Sequence, residues 1–248
     1  MICVKRLLSP LIRKLNIMKF YYNTAPNPMK VALFLEEAGL DYEPIPIDSR
    51  QGAQFNPNYL AINPNAKSPS LVDGDVTIFD SNAILLYLGE KSGQFMPENT
   101  EKARGQLFSW LMFIATGIGP YSGQAVHFQH HAPEKLPYAI NRYVFEAERH
   151  YDILDDQLSK GKYMLGERYT IVDMCVWGWA RLLPFVLGEG ELDKRINLHR
   201  LVEEINERPA AKQALTIKDR YGHIFKTEMD AEAKGFMFPQ NARLTPEN

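Results

Sequence analysis

The stretch KSPSLVDGDVTIFDSNAILLYLGEKSG, residues 67–93, carries the pattern that decides the fold. Two short strand-like runs, SPSLVDG and VTIFD, are joined at Gly74-Asp75, which predicts a β-hairpin. The run SNAILLYLGEK has helical spacing and starts directly after the second strand. Pro69 stands directly before the first strand, and Asp80-Ser81 stands at the start of the helix. Both positions flank the hairpin, and each is a candidate for a functional role.

The segments before this hairpin predict the rest of a small α/β unit. KFYYN (19–23) predicts a short strand, and VALFLEEAGL (31–40) predicts a helix that ends at Gly39. YEPIPID (42–48) predicts a second strand, which its two prolines confine to a sheet edge, and a helical turn is expected at residues 57–61. The order β-α-β-α-ββ-α indicates a compact α/β domain, not a doubly wound sheet with a glycine-rich phosphate loop.

After residue 97 the strand signals stop and the pattern becomes helical. We predict helices over residues 101–117, 138–159, 170–187 and 198–207, the last stopped by Pro209. The run 170–187 is almost wholly apolar and is expected to be a buried central helix. Thr170 and Asp173 have capping-box spacing, which we interpret as structural. The predicted organisation is a basic extension (1–17), an α/β domain (18–95), an all-helical domain (101–225) and a C-terminal tail (226–248).

The composition narrows the class of protein. The 248 residues carry a formal net charge of -2, which argues against a nucleic-acid partner, and no apolar run reaches the length of a membrane span. Cys3 and Cys175 form no C-x-x-C pair, so we expect neither a disulfide framework nor a bound metal, and we expect a cytoplasmic location.

The first 17 residues contain basic side chains and no acid. Such a segment is typical of a transit peptide, but it has one serine and no clear cleavage pattern. We therefore interpret it as a disordered extension or as a mis-assigned start ahead of Met18.

The chemistry of the hairpin starts from Pro69 and the Asp80-Ser81 pair. A cis Ser68-Pro69 bond would turn the backbone N–H and C=O of Ser68 outward, where an extended peptide-like ligand can pair with them; a trans proline at a strand start is the alternative. Ser81 at a helix N-terminus can hold a carboxylate, and Asp80 beside it suits an ammonium group. Helix capping alone explains the same pair, so the residues by themselves leave both interpretations open.

The combination of motifs resembles the glutathione transferase superfamily. The resemblance rests on APNPMK after the first strand, NPNAKSPSLVD, FDSNAILLYL and the helical YTIVDMCVWGWA, and it covers residues 18–240. GAQFNPNYLAINPNAK, GQAVHFQHHAPEKLPYAINRY and the tail GFMFPQNAR are similar to the Nu-class branch of bacterial disulfide-bond reductases and to the related fungal nitrogen-regulator domain. The resemblance implies a thioredoxin-like α/β N-terminal domain, an all-α C-terminal domain, and glutathione as cosubstrate without a metal.

The resemblance also assigns roles in glutathione binding. It implies that Pro69 is cis and that the backbone of Ser68 pairs with the cysteinyl part of glutathione. It implies that Asp80, where the family usually has a glutamate, binds the γ-glutamyl amine, and that Ser81 binds the carboxylate. Three further positions match residues that approach glutathione: Gln54, Lys67 and Arg142. For Arg142 the alternative is a solvated arginine on a helix surface.

A residue that activates the thiol of glutathione is expected after the first strand. A free thiol is only a few per cent ionised at neutral pH, so activation needs a hydrogen-bond donor, helped by a helix N-terminus. The branch pairs a threonine with an asparagine there; this chain has Ala25 at the threonine position and keeps Asn27, in the APN sequence of the fungal regulator. We predict that Asn27, just before a helix at Met29, donates to the sulfur. A turn residue before Pro28 is the alternative, and Thr24 is a candidate pocket residue.

The remaining candidates lie in the helical half. His127, Tyr121 and Phe128 are candidate pocket residues, with core packing as the alternative for the two larger aromatic side chains. Cys175 lies in a predicted buried helix and is interpreted as structural. Since no cysteine occurs at residues 21–30, disulfide chemistry is expected to use the sulfur of glutathione.

We therefore expect a homodimeric, cytoplasmic enzyme that takes glutathione and a small disulfide or electrophile, with disulfide-bond reduction as the favoured activity. Conjugation or glutathione-dependent ether cleavage at the same site is an alternative. A regulatory protein that binds glutathione without turnover is another, and Ala25 favours it. A glutaredoxin-type enzyme with a protein thiol is a third.

Overall fold

A computed structural model describes residues 17–244 of the chain. The extension expected over residues 1–17 lies outside the described residues except for Ile17, and the expected tail is described as far as residue 244. Within this range, no helix combines the length and the apolar character that crossing a membrane requires.

Within residues 17–244, four strands form one mixed sheet: β1 (Met18–Tyr22), β2 (Tyr42–Pro46), β3 (Ser70–Asp73) and β4 (Val76–Phe79). The spatial order is β2-β1-β3-β4, with β1 parallel to β2 and the other pairs antiparallel. The proline-containing β2 is an edge strand, as predicted, because proline cannot donate to a neighbour. The predicted hairpin is confirmed: β3 and β4 turn at Gly74, whose φ of +65° glycine adopts without strain.

Helices cover most of the other described residues. They are α1 (Pro26–Ala38), α2 (Pro57–Leu60), α3 (Ser81–Ser92), α4 (Glu101–Phe113), α5 (Gly119–Val126), α6 (Pro137–Leu158), α7 (Ile171–Ala180), α8 (Leu183–Leu187), α9 (Ile196–Asn206), α10 (Pro209–Leu215), α11 (Ile217–Arg220) and α12 (Ala231–Met237). Wider π-helical turns at Ile114–Ile118 and His127–His131 follow α4 and α5. Short 3-10 turns occupy Ser49–Gln51, Ala53–Phe55 and Pro239–Leu244.

The predicted start of α1 is wrong by one and a half turns. The pattern placed it at Val31, but the helix begins at Pro26 and ends as predicted before Gly39, whose φ is +61°. Proline suits the first helical position, because no intrahelical bond is needed from its nitrogen and its φ is already helical. Asn27 is therefore the second residue of the helix, not a residue that precedes it.

The single helix predicted over residues 170–187 is also wrong. The chain breaks after Ala180 and starts the separate α8, in which Pro184 is the second residue. Proline has no N–H and its ring would clash with the carbonyl four residues earlier, so α7 cannot run through Pro184. Pro209 follows the end of α9, as predicted, and it is also the first residue of the next helix, α10.

The core joins the sheet to the helical half. Phe20 of β1, Leu35 of α1 and Trp177 of α7 are fully buried members of one hydrophobic cluster. α1 packs against α7 on one side and α10 on another, and α7 is buried along its whole length. The start of α1 and the end of α7 are thereby held side by side.

The predicted capping box at the start of α7 is confirmed. Thr170 Oγ1 accepts from the N–H of Val172 at 3.3 Å, and Asp173 Oδ2 accepts from the N–H of Thr170 at 2.8 Å. Asp173 Oδ1 also accepts from the N–H of Met164 at 2.8 Å, and burial raises the pKa of this carboxyl to about 6. These bonds anchor the helix that carries Trp179.

Candidate functional site

The loop before β3 contains a cis Ser68-Pro69 bond, as the resemblance implied. The carbonyl of Lys67 accepts from the hydroxyl of Tyr59 at 2.7 Å and from Asn63 Nδ2 at 2.6 Å. Both donors belong to buried side chains, so the backbone of Lys67 and Ser68 is held from behind while its other face lines a cavity.

In the Asp80-Ser81 pair, the residue that caps the helix is not the one that the capping interpretation named. Asp80, not Ser81, caps α3: its Oδ1 accepts from the N–H groups of Asn82 at 2.9 Å and Ala83 at 3.1 Å. Its φ of +75° is in the left-handed region, which is unfavourable for a side-chain-bearing residue and is often found at functional sites. Ser81 is buried and its Oγ faces the Nζ of Lys30 at 3.4 Å.

Asn27 lies in the first turn of α1 between two prolines. Because Pro26 and Pro28 have no N–H, Asn27 carries the first backbone donor of this turn, and this donor has no partner within residues 17–244. The next donor, the N–H of Met29, donates to the carbonyl of Ala25 at 3.3 Å. Ala25 is the N-cap and makes no side-chain cap bond. The Oδ1 of Asn27 accepts from the indole Nε1 of Trp179 at 3.0 Å.

Two cavities meet at Asn27. The first, of about 430 Å³, is lined by Ser68 and Gln54, and the second, of about 350 Å³, by Asp80 and Ser81. Both are also lined by Asn27, Lys67 and Trp179. The structure therefore brings most of the predicted glutathione-binding residues to one continuous cleft.

Gln54 connects the first cavity to the C-terminal tail. Its buried Nε2 donates to the carbonyls of Ser49 at 3.2 Å and Phe236 at 3.3 Å, and its Oε1 is buried without a partner among the described residues. The ring of Phe236 lies over Gly52, where an added Cβ would come within 2.7 Å of it. The tail thus closes one wall of the cleft and leaves Gln54 an unused acceptor.

Five predicted residues do not line either cavity. Arg142 is half-exposed and pairs with Glu146 Oε1 at 2.7 Å, so its approach to the site stays a prediction. Thr24 is exposed at the surface.

The other three belong to an aromatic layer formed by α5, the π-helical turn after it, α6 and the tail: Tyr121 against His150, Phe128 stacked on Tyr143, and His127 against Phe238. Burial lowers the pKa of His127.

The cleft is lined by no cysteine and no metal-binding cluster. Within residues 17–244, no three His, Cys, Asp or Glu side chains are grouped as a metal ion requires. Cys175 is fully buried, and burial raises the pKa of its thiol to about 12, which keeps it neutral and unreactive. Residues 17–244 therefore offer no cysteine thiol to a ligand in this cleft.

The sequence analysis assigned no role in the cleft to three of its residues: Trp179, Lys30 and Phe236. Trp179 belongs to a run whose apolar composition indicates core packing, and nothing local pairs it with Asn27. Phe236 lies in the GFMFPQNAR tail, which contributed to the resemblance without a role for its aromatic residues.

The four-stranded sheet with a cis-proline loop, followed by the helical half, is a thioredoxin-like domain joined to an all-helical domain. The family model described as Glutathione S-transferase, N-terminal domain, matches residues 17–90, and the model described as Glutathione S-transferase, C-terminal domain, matches residues 131–209. The disulfide-bond oxidoreductase YfcG of Escherichia coli (strain K12) is 40% identical over 202 residues, which cover 79% of this chain and 93% of that protein. The chain belongs to the glutathione S-transferase family, and the resemblance noted from its motifs is confirmed. The domain bounds of 18–95 and 101–225 stay predictions.

Solved structures agree with this assignment. A glutathione transferase family member from Pseudomonas fluorescens, with two glutathione bound, is 33% identical with a TM-score of 0.76 and covers 81% of this chain and 93% of its own. A glutathione transferase from Pseudomonas putida, with one glutathione disulfide bound per subunit, is 32% identical with a TM-score of 0.76 and covers 84% of this chain and 96% of its own.

Proposed function

We propose that this protein reduces disulfide bonds with glutathione, with the thiol of glutathione as nucleophile and Asn27 as the residue that activates it. The observation that carries the proposal is the orientation of Asn27. Because Trp179 donates to its Oδ1 at 3.0 Å, the two N–H donors of its amide are left for a ligand where the two cavities meet. The name of E. coli YfcG, and the solved relatives that hold two glutathiones or glutathione disulfide, support the same activity.

The shape of the cleft suits an extended tripeptide. Asp80 and Ser81 at one end offer an anion and a hydroxyl at a helix start, which match the amine and carboxylate of the γ-glutamyl group. At the other end, the backbone of Ser68 and the unused Oε1 of Gln54 suit the cysteinyl and glycyl amides. The thiol of a ligand in this pose lies between the two ends, beside Asn27.

The start of α1 favours a thiolate at that place. The backbone N–H and the amide N–H groups of Asn27 are donors at the positive end of a helix of 13 residues. Donors to the sulfur stabilise the thiolate over the thiol and so lower the pKa of the bound glutathione.

The reaction balances with two glutathiones. A glutathione thiolate attacks one sulfur of the substrate disulfide, the S–S bond breaks, and one substrate thiolate leaves and takes up a proton. A second glutathione thiolate attacks the mixed disulfide at the glutathione sulfur, releases the other substrate thiol and forms glutathione disulfide. The two electrons that reduce the substrate come from the two glutathiones, so no protein cysteine is consumed.

The test is the steady-state rate of glutathione-dependent reduction of a small disulfide by the wild type and by Asn27→Ala. We expect at least about a tenfold loss of turnover, equivalent to about 1.4 kcal/mol of barrier. Asn58→Ala, an exposed asparagine in α2, is the matched control and should keep the wild-type rate. Glutathione binding without any wild-type reduction would refute the reductase.

Two alternatives share the same cleft. Conjugation and ether cleavage would use the same thiolate on an electrophilic carbon. A regulatory binder is favoured by Ala25, which supplies no side-chain cap or hydroxyl at the start of α1. An electrophile assay and an isothermal binding measurement, run beside the disulfide assay, separate the three.

We also propose that the enzyme is a cytoplasmic homodimer. Phe108 and Met112, one turn apart on α4, and Phe79 on the edge strand β4 are large apolar side chains left at least one-third exposed. Sedimentation at micromolar concentration should give twice the 28.4 kDa chain mass, and a monomer would refute the dimer. The cytoplasmic location rests on the sequence alone and stays a prediction.

A further inference from the structure

A buried lysine lies behind the Asp80-Ser81 pair. Lys30 is 2% exposed, yet its side chain reaches the wall of the second cavity. Its Nζ donates to Ser81 Oγ at 3.4 Å and to Asn82 Oδ1 at 3.3 Å, and both acceptors are neutral. No carboxylate of residues 17–244 lies within 4.0 Å of this nitrogen, so its charge has no ion-pair partner there.

The groups in hydrogen-bond contact with Lys30 and its acceptor Asn82 are neutral. Cys175 donates its thiol to Asn82 Oδ1 at 3.2 Å, and burial raises the pKa of this thiol to about 12, so it is not a thiolate. The amide of Asn82 is fixed in this orientation because its Nδ2 donates to the carbonyl of Leu111 at 3.0 Å. Burial lowers the pKa of Lys30, while the nearby Asp80 acts in the opposite direction. The charged form of Lys30 is thus disfavoured by burial and favoured by Asp80, and an anion bound beside it would favour the charged form further.

A glycine in the facing helix makes room for this lysine. Where α7 crosses α1, residue 178 is glycine, and an added Cβ would lie 2.5 Å from Lys30 Cγ and 2.9 Å from the carbonyl oxygen of Pro26. Glycine is an unfavourable residue within a helix, so a packing requirement explains it here. The stem of Lys30 therefore runs through a channel between two helices that ends at Ser81.

The hydrogen-bonding capacities of Lys30, Ser81 and Asp80 indicate a role for the lysine. An ammonium group only donates, so Ser81 Oγ accepts from Lys30, and the serine hydroxyl proton is left to point into the cavity. Asp80 occupies the N–H groups of Asn82 and Ala83, which leaves the N–H and hydroxyl of Ser81 as the donors of this helix start. We propose that Lys30 is a positioning residue that orients Ser81 toward the γ-glutamyl carboxylate of glutathione and supplies the positive charge that this carboxylate meets. The inference rests on the proposed glutathione site.

The test is a cycle of two ligands and two proteins by isothermal calorimetry. The ligands are glutathione and 4-aminobutanoyl-cysteinyl-glycine, which is glutathione without the γ-glutamyl carboxylate. The wild type should prefer glutathione by about 30-fold, as expected for hydrogen bonds to a charged group. In Lys30→Met the preference should fall below about threefold, because the affinity for glutathione drops while that for the analogue stays within about twofold. The KM for glutathione should rise with kcat at saturation unchanged.

Lys30→Gln is the second variant, since it keeps a donor for Ser81 and removes the charge. Its preference should lie between those of Lys30→Met and the wild type, because the orientation of Ser81 is kept and the charge is lost, and a folded variant of either kind that keeps the 30-fold preference overturns the inference. Equal loss of affinity for both ligands would show that the lysine is merely structural and would overturn the inference too.

The binding of the two ligands to the wild type is a test by itself. If it binds both ligands equally, Lys30 has no such role although the proposed function stands. If it does not bind glutathione, the proposed function fails and this inference with it.

Discussion

The indole N–H of Trp179 donates to Oδ1 of Asn27 at 3.0 Å across 152 positions of the chain. Trp179 is near the end of α7 in the helical half, and Asn27 is in the first turn of α1. An indole nitrogen can only donate, so the amide of Asn27 has its oxygen toward α7 and its NH2 toward the cleft. The residue proposed to activate glutathione is thus oriented by the other half of the molecule.

Trp179→Phe should therefore weaken catalysis without emptying the site. The variant keeps an aromatic ring but frees the amide of Asn27 to rotate. We expect kcat/KM for disulfide reduction to fall by about three- to tenfold, and the pKa of bound glutathione to rise, as loss of one neutral hydrogen bond implies. Steady-state kinetics and the ultraviolet absorbance of the thiolate across a pH series measure the two effects.

Trp177→Phe is the matched control for that variant. Trp177 lies on the same helix and donates its indole N–H to Asn206 Oδ1 at 2.9 Å, but it lines neither cavity. It should lower the melting temperature and leave the thiolate pKa unchanged. If both variants reduce turnover equally, the orientation of Asn27 does not matter.

Gly52→Ala should open the tail-covered wall of the cleft. Gly52 has a φ of +76°, and an added Cβ would lie 2.7 Å from the ring of Phe236. The ring must move, and with it the carbonyl that accepts from Gln54. We expect a several-fold higher KM for glutathione and faster proteolysis of residues after 225, since a displaced tail is more accessible.

Gly39→Ala separates this clash from backbone strain. Gly39 has a similar φ of +61° but nothing within 4 Å of an added Cβ. Both substitutions should lower the free energy of unfolding by about 1 kcal/mol through the left-handed conformation. A raised KM in the Gly39→Ala variant as well would mean that the tail contact is not the cause.

Asp80→Asn should remove recognition of the γ-glutamyl amine while keeping the helix cap. The asparagine oxygen can still accept from the N–H groups of Asn82 and Ala83, but the negative charge is lost. We expect about tenfold weaker glutathione binding and little change for glutaryl-cysteinyl-glycine, which lacks the amine. Calorimetry with both ligands decides this, and an equal loss for both would assign Asp80 to capping alone.

Asp173 should make the protein less stable as pH rises. Burial raises its pKa from 3.8 to about 6, so the folded chain holds a proton that the unfolded chain releases. This contribution to the free energy of unfolding is largest at low pH and is lost as pH rises toward and through the folded pKa. The advantage of wild type over Asp173→Asn should shrink by about 2 kcal/mol between about pH 4.5 and about pH 7. Urea unfolding of both proteins at the two pH values measures it, and a pH-independent difference would contradict it.

Short-range patterns predicted much of this structure. The hairpin at Gly74, the edge strand with its prolines and the capping box at Thr170 each depend on residues within a few positions of one another, and all three are confirmed. The two wrong predictions, the start of α1 and the single helix over residues 170–187, also concern short segments of neighbouring residues. Pro26 reads equally well as a turn or as the first residue of a helix, and the apolar run after Thr170 outweighed the break that Pro184 imposes.

The sequence by itself determined the fold class, the family and most of the polar residues that line the cleft, because these follow from motifs of neighbouring residues. Only the tertiary structure decided which partners those residues have. Trp179 holds Asn27, Lys30 lies behind Ser81, and the carbonyl of Phe236 binds Gln54. Each pair joins segments far apart in the chain, and the contact exists because α1, α7 and the tail pack together, which no local periodicity encodes.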